Sequence, residues 1–523
     1  MSYWSERAAV LAARDVSRRS PGPVPVPQRR PEPTPAARQP SPIKLGYYCK
    51  HETGQTGAPN LYHGERHALI HGLNGAGKAT RLLIELLATA SNLSLLVFDL
   101  KGELAYQTAD LRRRYSDVYF INPHRLHGLP SNGFNPARLD PGDNMFFSSL
   151  TDVGAAAIDF AEKDKHWDES AQSLFEGFCG WEIKLEHRNK RLPSLANVRR
   201  MLCEPDEYED YIDGRGRRQQ RLVKGITLTA QRIIAEGGDE LAGLVSRFVR
   251  KHGLNELSSI QSTADTQTKW LLDPNMAADL SQPGVDFNRL RTRPTTIYVL
   301  IHPMELRKNK RWTRLIISSA LCALMRPGTV KTLMVMDEFY ATVGNLPIVR
   351  DVWSLVRGYN IQLMPIVQSM LQLQSLFKEE WENFAAQAGM VATLGPAGDT
   401  FTAEYFSKRS GNTTMLQAGF NLGDGVNSGN GVNAGTGFSN SGVSSNEGNG
   451  QNFGRNTSGG INWSQIERRA FLPQDFMNYR PGFGRIWTPG MGTASIPFFA
   501  PNYWKYRSAP WVRHVRPNPL RTG

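Results

Sequence analysis

Beyond residue 45 the chain alternates short apolar runs with stretches of helical spacing. Residues 67–71 (HALIH) form a strand-length run, followed by a Gly-rich turn and a helical stretch over 80–90. Residues 93–98, closed by Asp99, and 118–121 repeat the strand pattern. Apolar runs this short, alternating with helices, predict a parallel sheet covered on both faces. Near residue 140 the period changes. Strand-like runs stop, and 153–186 and 225–249 carry apolar residues at helical spacing. The change predicts an all-α domain inserted into the sheet domain. Strands return at 296–301, 332–336, 362–367 and 390–394. The expected architecture is α/β, with sheet-domain parts at 45–139 and 276–418 flanking an all-α insertion at 140–275. The best apolar runs, such as 295–302, are strand-length and far below the roughly 18 residues of a membrane-spanning helix, so no such helix is expected.

Composition alters this picture at the N-terminus and late in the chain. Residues 2–19 read as a short basic helix, and 20–43 are rich in Pro and Arg, a composition that gives an extended, unpacked linker. Residues 1–44 are thus expected to be a disordered basic segment. Residues 419–460 are dominated by Gly, Asn and Ser, with too little apolar content to fold alone. A disordered loop is expected there, with the C-terminal part of the sheet domain and a tail over 461–523. Lys and Arg number 61 against 48 Asp and Glu, a net charge of +13 that favours an anionic partner, nucleic acid first and a membrane surface second. The four cysteines, Cys49, Cys179, Cys203 and Cys322, contain no CxxC pair, which indicates neither a zinc site nor a disulfide framework and fits a reducing cytoplasm. The N-terminus lacks the apolar core of a secretory signal.

Candidate chemistry enters at the first Gly-rich turn. Gly72-Leu73-Asn74-Gly75-Ala76-Gly77-Lys78-Ala79-Thr80 follows a strand and opens a helix, which is the setting of a P-loop. Backbone N–H groups from Asn74 to Lys78 would wrap the phosphates of ATP, aided by the helix N-terminus, and Lys78 would reach the β- and γ-phosphates. The position after the lysine usually holds Mg2+ through a hydroxyl; here it is Ala79, and Thr80 comes one residue late. The apolar strand at 332–336 closes on Asp337 and Glu338. In P-loop ATPases the first acid orients Mg2+ and the second polarises the attacking water. A strand ending at a solvated acidic turn would explain the two acids, but it would leave the Gly-Lys loop a coincidence. A further strand, IQLMPIVQ, ends in Gln368. RecA-like ATPases carry a γ-phosphate sensor there, although a Gln at a strand end is by itself most often plain surface.

Further segments follow in order. Asp99-Leu100-Lys101-Gly102-Glu103 follows the second strand, and Asn122-Pro123 and Asn135-Pro136 form a paired stretch. Trp167, Ala171, Leu174 and Gly177 share helical spacing, and Ser258-Ser259-Ile260-Gln261-Ser262-Thr263-Ala264 lies later in the helical region. Ala403-Glu404-Tyr405 opens a stretch that runs through Ser407, Arg409 and Gly411 to Thr413-Thr414, and Arg468-Arg469-Ala470-Phe471-Leu472-Pro473 comes last. With the P-loop, Asp337-Glu338 and Gln368, these segments resemble the type IV coupling-protein family, the TraG/VirD lineage of conjugation ATPases, from about residue 45 to 497.

The resemblance implies a RecA-like P-loop NTPase sheet domain with an inserted all-α domain. It implies an ATPase, with ATP and Mg2+ as cofactors, that feeds DNA or a relaxase–DNA cargo to a type IV secretion channel at the inner membrane. A homo-hexamer is implied, with an arginine finger at Arg357. Members of this lineage often carry Gly after the P-loop lysine, so Ala79 does not by itself mark a dead enzyme. Most members carry transmembrane helices ahead of the ATPase domain, where this chain has its Pro-rich segment. A cytoplasmic protein, peripheral at the inner face of the membrane, is therefore expected. Two other functions stay open: a HerA-type DNA pump unrelated to secretion, and an adaptor that recruits cargo with little ATP turnover. Arg307-Lys308-Asn309-Lys310-Arg311 is the first candidate for contact with DNA phosphates, and Arg215, Arg217, Arg218 and Arg221 in the helical region are the second. Such runs are more often solvated faces.

Overall fold

The computed structural model describes residues 41–520 apart from 51–54, 161–164, 250–253, 343, 345–346, 354, 430–432, 440–441, 449–451 and 507. Eleven strands of the described residues form one sheet. In chain order they are β1 (Ile43–Cys49), β2 (Thr56–Tyr62), β3 (Ala68–Gly72), β4 (Ser94–Asp99), β5 (Asp117–Ile121), β6 (Thr295–Leu300), β7 (Thr332–Met336), β8 (Ile361–Val367), β9 (Met390–Leu394), β10 (Phe483–Trp487) and β11 (Ile496–Phe499). Side by side they run β2-β1-β11-β10-β9-β3-β8-β7-β4-β6-β5. The seven from β9 to β5 are mutually parallel. The four beyond β9 extend the sheet antiparallel. Every residue of β3, β4, β6, β7, β8 and β9 is buried. A strand covered on both faces has no solvent side, which is why these segments read as continuous apolar runs.

Successive residues alternate between two cores. Along β4, Leu95 and Val97 pack with Leu86, Leu87 and Leu104 of the helices Ile84–Thr89 and Glu103–Arg112. Leu96 and Phe98 face the other core, which continues into the insertion through Leu150, Leu174, Phe178 and Val245. The helix Lys165–Arg188 turns Ala171, Leu174, Phe175 and Phe178 inward at helical spacing. Gly177 lets that helix approach its neighbour, since a Cβ there would collide with Val245. Each fully buried Leu or Phe side chain contributes about 1.5–3 kcal/mol, so the apolar stripe anchors the insertion to the sheet. The neighbouring strands β3, β8, β7 and β4 point the same way. Their C-terminal ends, followed by the Gly-rich loop, Gln368, Asp337 and Asp99 itself, therefore meet along one edge of the sheet, where ligands bind in open α/β folds.

Three expectations change. The insertion is not all-α: an antiparallel hairpin, Glu207–Ile212 with Arg218–Lys224, interrupts its helices. Its residues are almost all exposed, so it carries no apolar alternation to announce it. Cross-strand ion pairs hold it instead. Within 419–460, where a disordered loop is expected, the described residues are paired strands. Asn412–Gly429 pairs antiparallel with Asn452–Arg469 in unbroken register, and Asn433–Ser439 pairs with Gly442–Gly448. Backbone N–H and C=O groups close such ladders, so low apolar content excludes a core and not a ribbon. The sheet also gains four strands at one edge (β1, β2, β10 and β11), and the first of them begins at Ile43. The basic helix expected over 2–19 and the Pro-rich linker expected over 20–43, up to residue 40, lie outside the described residues. Among the described residues no helix is long and apolar enough to cross a membrane.

Candidate nucleotide site

The loop after β3 turns sharply at Gly75 and Gly77, with φ of +82° and +86°, a left-handed backbone that glycine adopts without penalty. The Ala76 N–H donates to the Leu73 carbonyl at 3.1 Å, and Asn74 and Gly75 are left exposed. The helix after Lys78 opens with a π-turn, Ala79–Leu83, in which the Ile84 N–H donates to the Ala79 carbonyl. Such turns carry one residue more than an α-turn and are frequent at functional sites. Lys78 is 8% exposed. It donates to the Gly72 carbonyl at 3.0 Å and lies 3.8 Å from the Glu338 carboxylate.

Asp337 and Glu338 follow β7. The Asp337 carboxylate accepts the Glu338 N–H at 3.0 Å. Burial first, and the Glu338 charge second, push Asp337 up to about 6, against the pull of Lys78 and Lys101. Glu338 has φ +52°, which costs a non-glycine residue about 1–2 kcal/mol. Its carboxylate accepts from the Gln368 side-chain amide at the end of β8. Lys78, Glu338 and Gln368, predicted from three separate motifs, thus form one constellation. His71 joins it from β3 and was not singled out from sequence. Its ring bonds the Thr393 hydroxyl at 2.8 Å and the Gln368 carbonyl at 3.1 Å, and burial lowers it to about 4, so the ring is neutral. Asp99, on the strand beside β7, accepts the Ala105 N–H at 2.8 Å and is raised to about 7, chiefly by burial. No sequence signal marked His71, because a histidine in a buried strand reads as packing.

Thr80 donates its hydroxyl to the Asn502 side-chain carbonyl at 2.9 Å. Arg357 falls in the short 3-10 turn Val356–Tyr359 just ahead of β8. Within the first basic run Arg307, Lys308 and Lys310 are exposed, but Lys308 pairs with Glu305 at 2.9 Å. Arg311 is largely withdrawn, bonded to Gln267 and 3.8 Å from Asp159. The second run lies on the hairpin and not on helices. There Arg217 meets Asp213 at 3.1 Å, Arg218 meets Asp210 at 3.9 Å and Arg221 meets Glu209 at 2.8 Å. Several other motif residues are structural. Asn122 and Asn135 tie their loops through backbone carbonyls at 2.9–3.3 Å. Glu404 holds Arg469 at the base of the ribbon with two 2.8 Å bonds.

The arrangement fits a nucleoside triphosphate with a hard divalent cation. The loop offers backbone N–H groups at a helix N-terminus and a buried ammonium for phosphate oxygens. Asp337 and the Thr80 hydroxyl offer the oxygen ligands that Mg2+ takes.

Residues 36–442 match the family model for type IV secretory system conjugative DNA transfer. The conjugal transfer protein TraG of Escherichia coli is 22% identical over 374 residues, covering 68% of this chain and 56% of that protein. TraG of Agrobacterium fabrum is 26% identical over 370 residues, covering 67% and 52%. Protein VirD4 of Rhizobium radiobacter is 25% identical over 368 residues, covering 68% and 49%. The chain therefore spans about half the length of the curated relatives it matches. Among solved structures, unbound bacterial conjugative coupling protein TrwBdeltaN70 superposes with a TM-score of 0.55 at 13% identity, covering 84% of this chain and 85% of that one. Plasmid coupling protein TrwB in complex with the non-hydrolysable ATP analogue ADPNP gives 0.54 at 12% identity, covering 84% and 86%. At that identity the likeness is one of fold: the coupling-protein sheet with its inserted, mostly helical region.

Proposed function

Because the chain belongs to the type IV secretory system conjugative DNA-transfer family, we propose that it is an ATPase that drives DNA toward a type IV secretion channel. The observation that carries this reading is the convergence of Lys78, Glu338 and Gln368 on one edge of the sheet. Gly72, Asn74, Gly75, Ala76, Gly77, Lys78, Ala79 and Thr80 hold the phosphates of ATP. Lys78 neutralises the β- and γ-phosphates. Asp337 and Thr80 hold Mg2+, which when bound offsets the negative charge of the phosphates. Glu338 takes the proton of the attacking water, and Gln368 orients the Glu338 carboxylate. TrwB in complex with an ATP analogue lends the assignment support by its likeness of fold. DNA or a relaxase–DNA complex is the cargo, the working form is a homo-hexamer, and its place is the inner face of the membrane beside the channel. The direct test is phosphate release from ATP with and without DNA.

The DNA contact is sequence-tolerant and made to phosphates, so log affinity falls steeply with log salt. Of the two basic runs the first is the better candidate, since Arg217, Arg218 and Arg221 already face carboxylates. Replacing Arg307, Lys308 and Lys310 together by Ala is expected to flatten the slope by about 0.9 for each phosphate no longer neutralised. Filter binding across a salt series measures it, and an unchanged slope excludes this run.

Arg357 is the proposed arginine finger, acting on the γ-phosphate held by a neighbouring subunit. Arg357→Ala and Lys78→Ala subunits are each expected to be inactive alone and to recover part of the ATPase rate when mixed, because some shared sites then carry both wild-type groups. An absence of recovery at every mixing ratio, with assembly intact by light scattering, argues against action across the interface.

A further inference from the structure

The sequence leaves one feature of the nucleotide site unexplained: the hydroxyl usually found directly after the P-loop lysine is missing, and Thr80 stands one residue late. Two independent observations bear on it. The first is the π-turn Ala79–Leu83, which opens the helix at the residues in question, a kind of turn frequent at functional sites. The second is the partner of Thr80. Its hydroxyl donates to the Asn502 side-chain carbonyl at 2.9 Å, across 422 positions of sequence.

Asn502 belongs to a C-terminal strap bonded to two of the helices that open on this edge of the sheet. On the P-loop helix, Arg81 donates to the Ala500 carbonyl at 2.7 Å, and the Tyr506 hydroxyl donates to the buried Glu85 at 2.9 Å. On the helix after Asp99, the Gln107 amide donates to the Arg516 carbonyl at 3.1 Å. Asn502 is therefore held from both sides of its position in the strap. A hydroxyl has one hydrogen and two lone pairs. That hydrogen has two acceptors in reach, the Gly77 carbonyl at 3.4 Å and the nearer Asn502 at 2.9 Å; directed to either, it leaves the Thr80 oxygen its lone pairs, the polarity required of an oxygen that faces a cation.

We propose that Asn502 is a positioning residue of the nucleotide site, fixing Thr80 so that it takes the cation-binding part of the absent hydroxyl at position 79. The proposal rests on the nucleotide reading above. It makes the C-terminal strap a component of the site, although none of the strap lies in a recognised nucleotide motif.

The test is a titration of Mg2+ into the full chain in the presence of a fluorescent, non-hydrolysable ATP analogue, which reads cation affinity without turnover. Removing a group that orients a metal ligand typically lowers metal affinity about 10- to 100-fold. Asn502→Ala and Thr80→Val are each expected to show a loss of that order, while for Asn502→Ala analogue binding without Mg2+ stays near wild type. The double variant should be no weaker than either single one, because the two residues act through one bond. Asn502→Asp keeps the acceptor and should retain the wild-type cation affinity. If Asn502→Ala, folded by thermal unfolding, binds Mg2+ within twofold of wild type, the strap only packs and the proposal falls. If the wild-type chain binds no analogue with or without Mg2+, the nucleotide reading falls and takes the proposal with it. A wild type that binds with Mg2+ beside an unaffected Asn502→Ala overturns the proposal alone.

Discussion

Lys78→Ala is expected to abolish useful nucleotide binding and, with it, every ATP-dependent activity of the chain. The ammonium is buried and held by the Gly72 carbonyl and the nearby Glu338 carboxylate, so it is already oriented along the wall of the loop before any phosphate arrives. Hydrogen bonds to charged groups contribute about 1.5–3 kcal/mol each. Two such bonds to phosphate oxygens correspond to about a hundredfold or more in affinity. The substitution also leaves Glu338 facing the phosphates without a compensating cation, which adds repulsion in a site where charge is poorly screened. The fold should survive, because the lysine stem contributes little to either core. Titration of a fluorescent ATP analogue, with circular dichroism to confirm the fold, measures the effect. Affinity within about threefold of wild type would remove Lys78 from the phosphate site.

The parts of this site that were legible in sequence are those where chemistry and backbone geometry demand the same residue. Gly75 and Gly77 are needed for a left-handed turn, and Lys78 for the phosphates. Asp337 and Glu338 close a strand that must be apolar because both its faces are covered. The inner strands were legible for the same reason. The outer elements were not. β1, β2, β10 and β11 lie at one edge of the sheet, where the mix of apolar and polar residues resembles a loop. The hairpin within the insertion is held by ion pairs, and the ribbon of 412–429 with 452–469 by backbone ladders; neither force leaves an apolar period. His71 and Asn502 were missed because their roles depend on partners 322 and 422 positions away. A single sequence without variation carries no signal for such pairs. Charge runs misled in the opposite direction. Arg217, Arg218 and Arg221 look like a free basic patch until the turn supplies Asp213 and the facing strand Asp210 and Glu209.

Glu338→Gln should separate binding from hydrolysis. Glu338 sits at φ +52°, where a glycine would rest without the penalty of about 1–2 kcal/mol that a side chain incurs. A strained position kept for a carboxylate points to a use for that carboxylate, and its neighbours show which: Lys78 lies 3.8 Å away and the Gln368 amide donates to it. Glutamine at 338 keeps the size and one acceptor oxygen for Gln368, so the constellation should hold its shape. It loses the basicity needed to take a proton from water, which typically lowers a rate about 10²- to 10⁴-fold. It also removes a negative charge beside the γ-phosphate, so affinity for ATP should stay level or rise. Phosphate release and analogue binding, measured on one preparation, read the two effects separately. Glu338→Gly is the companion variant. Relief of the backbone should raise its unfolding temperature, while hydrolysis falls as far as in the glutamine variant. Loss of hydrolysis together with a gain in stability is the signature of strain retained for chemistry. A Glu338→Gln chain that hydrolyses ATP at the wild-type rate would remove Glu338 from the base role and leave its backbone strain without a function.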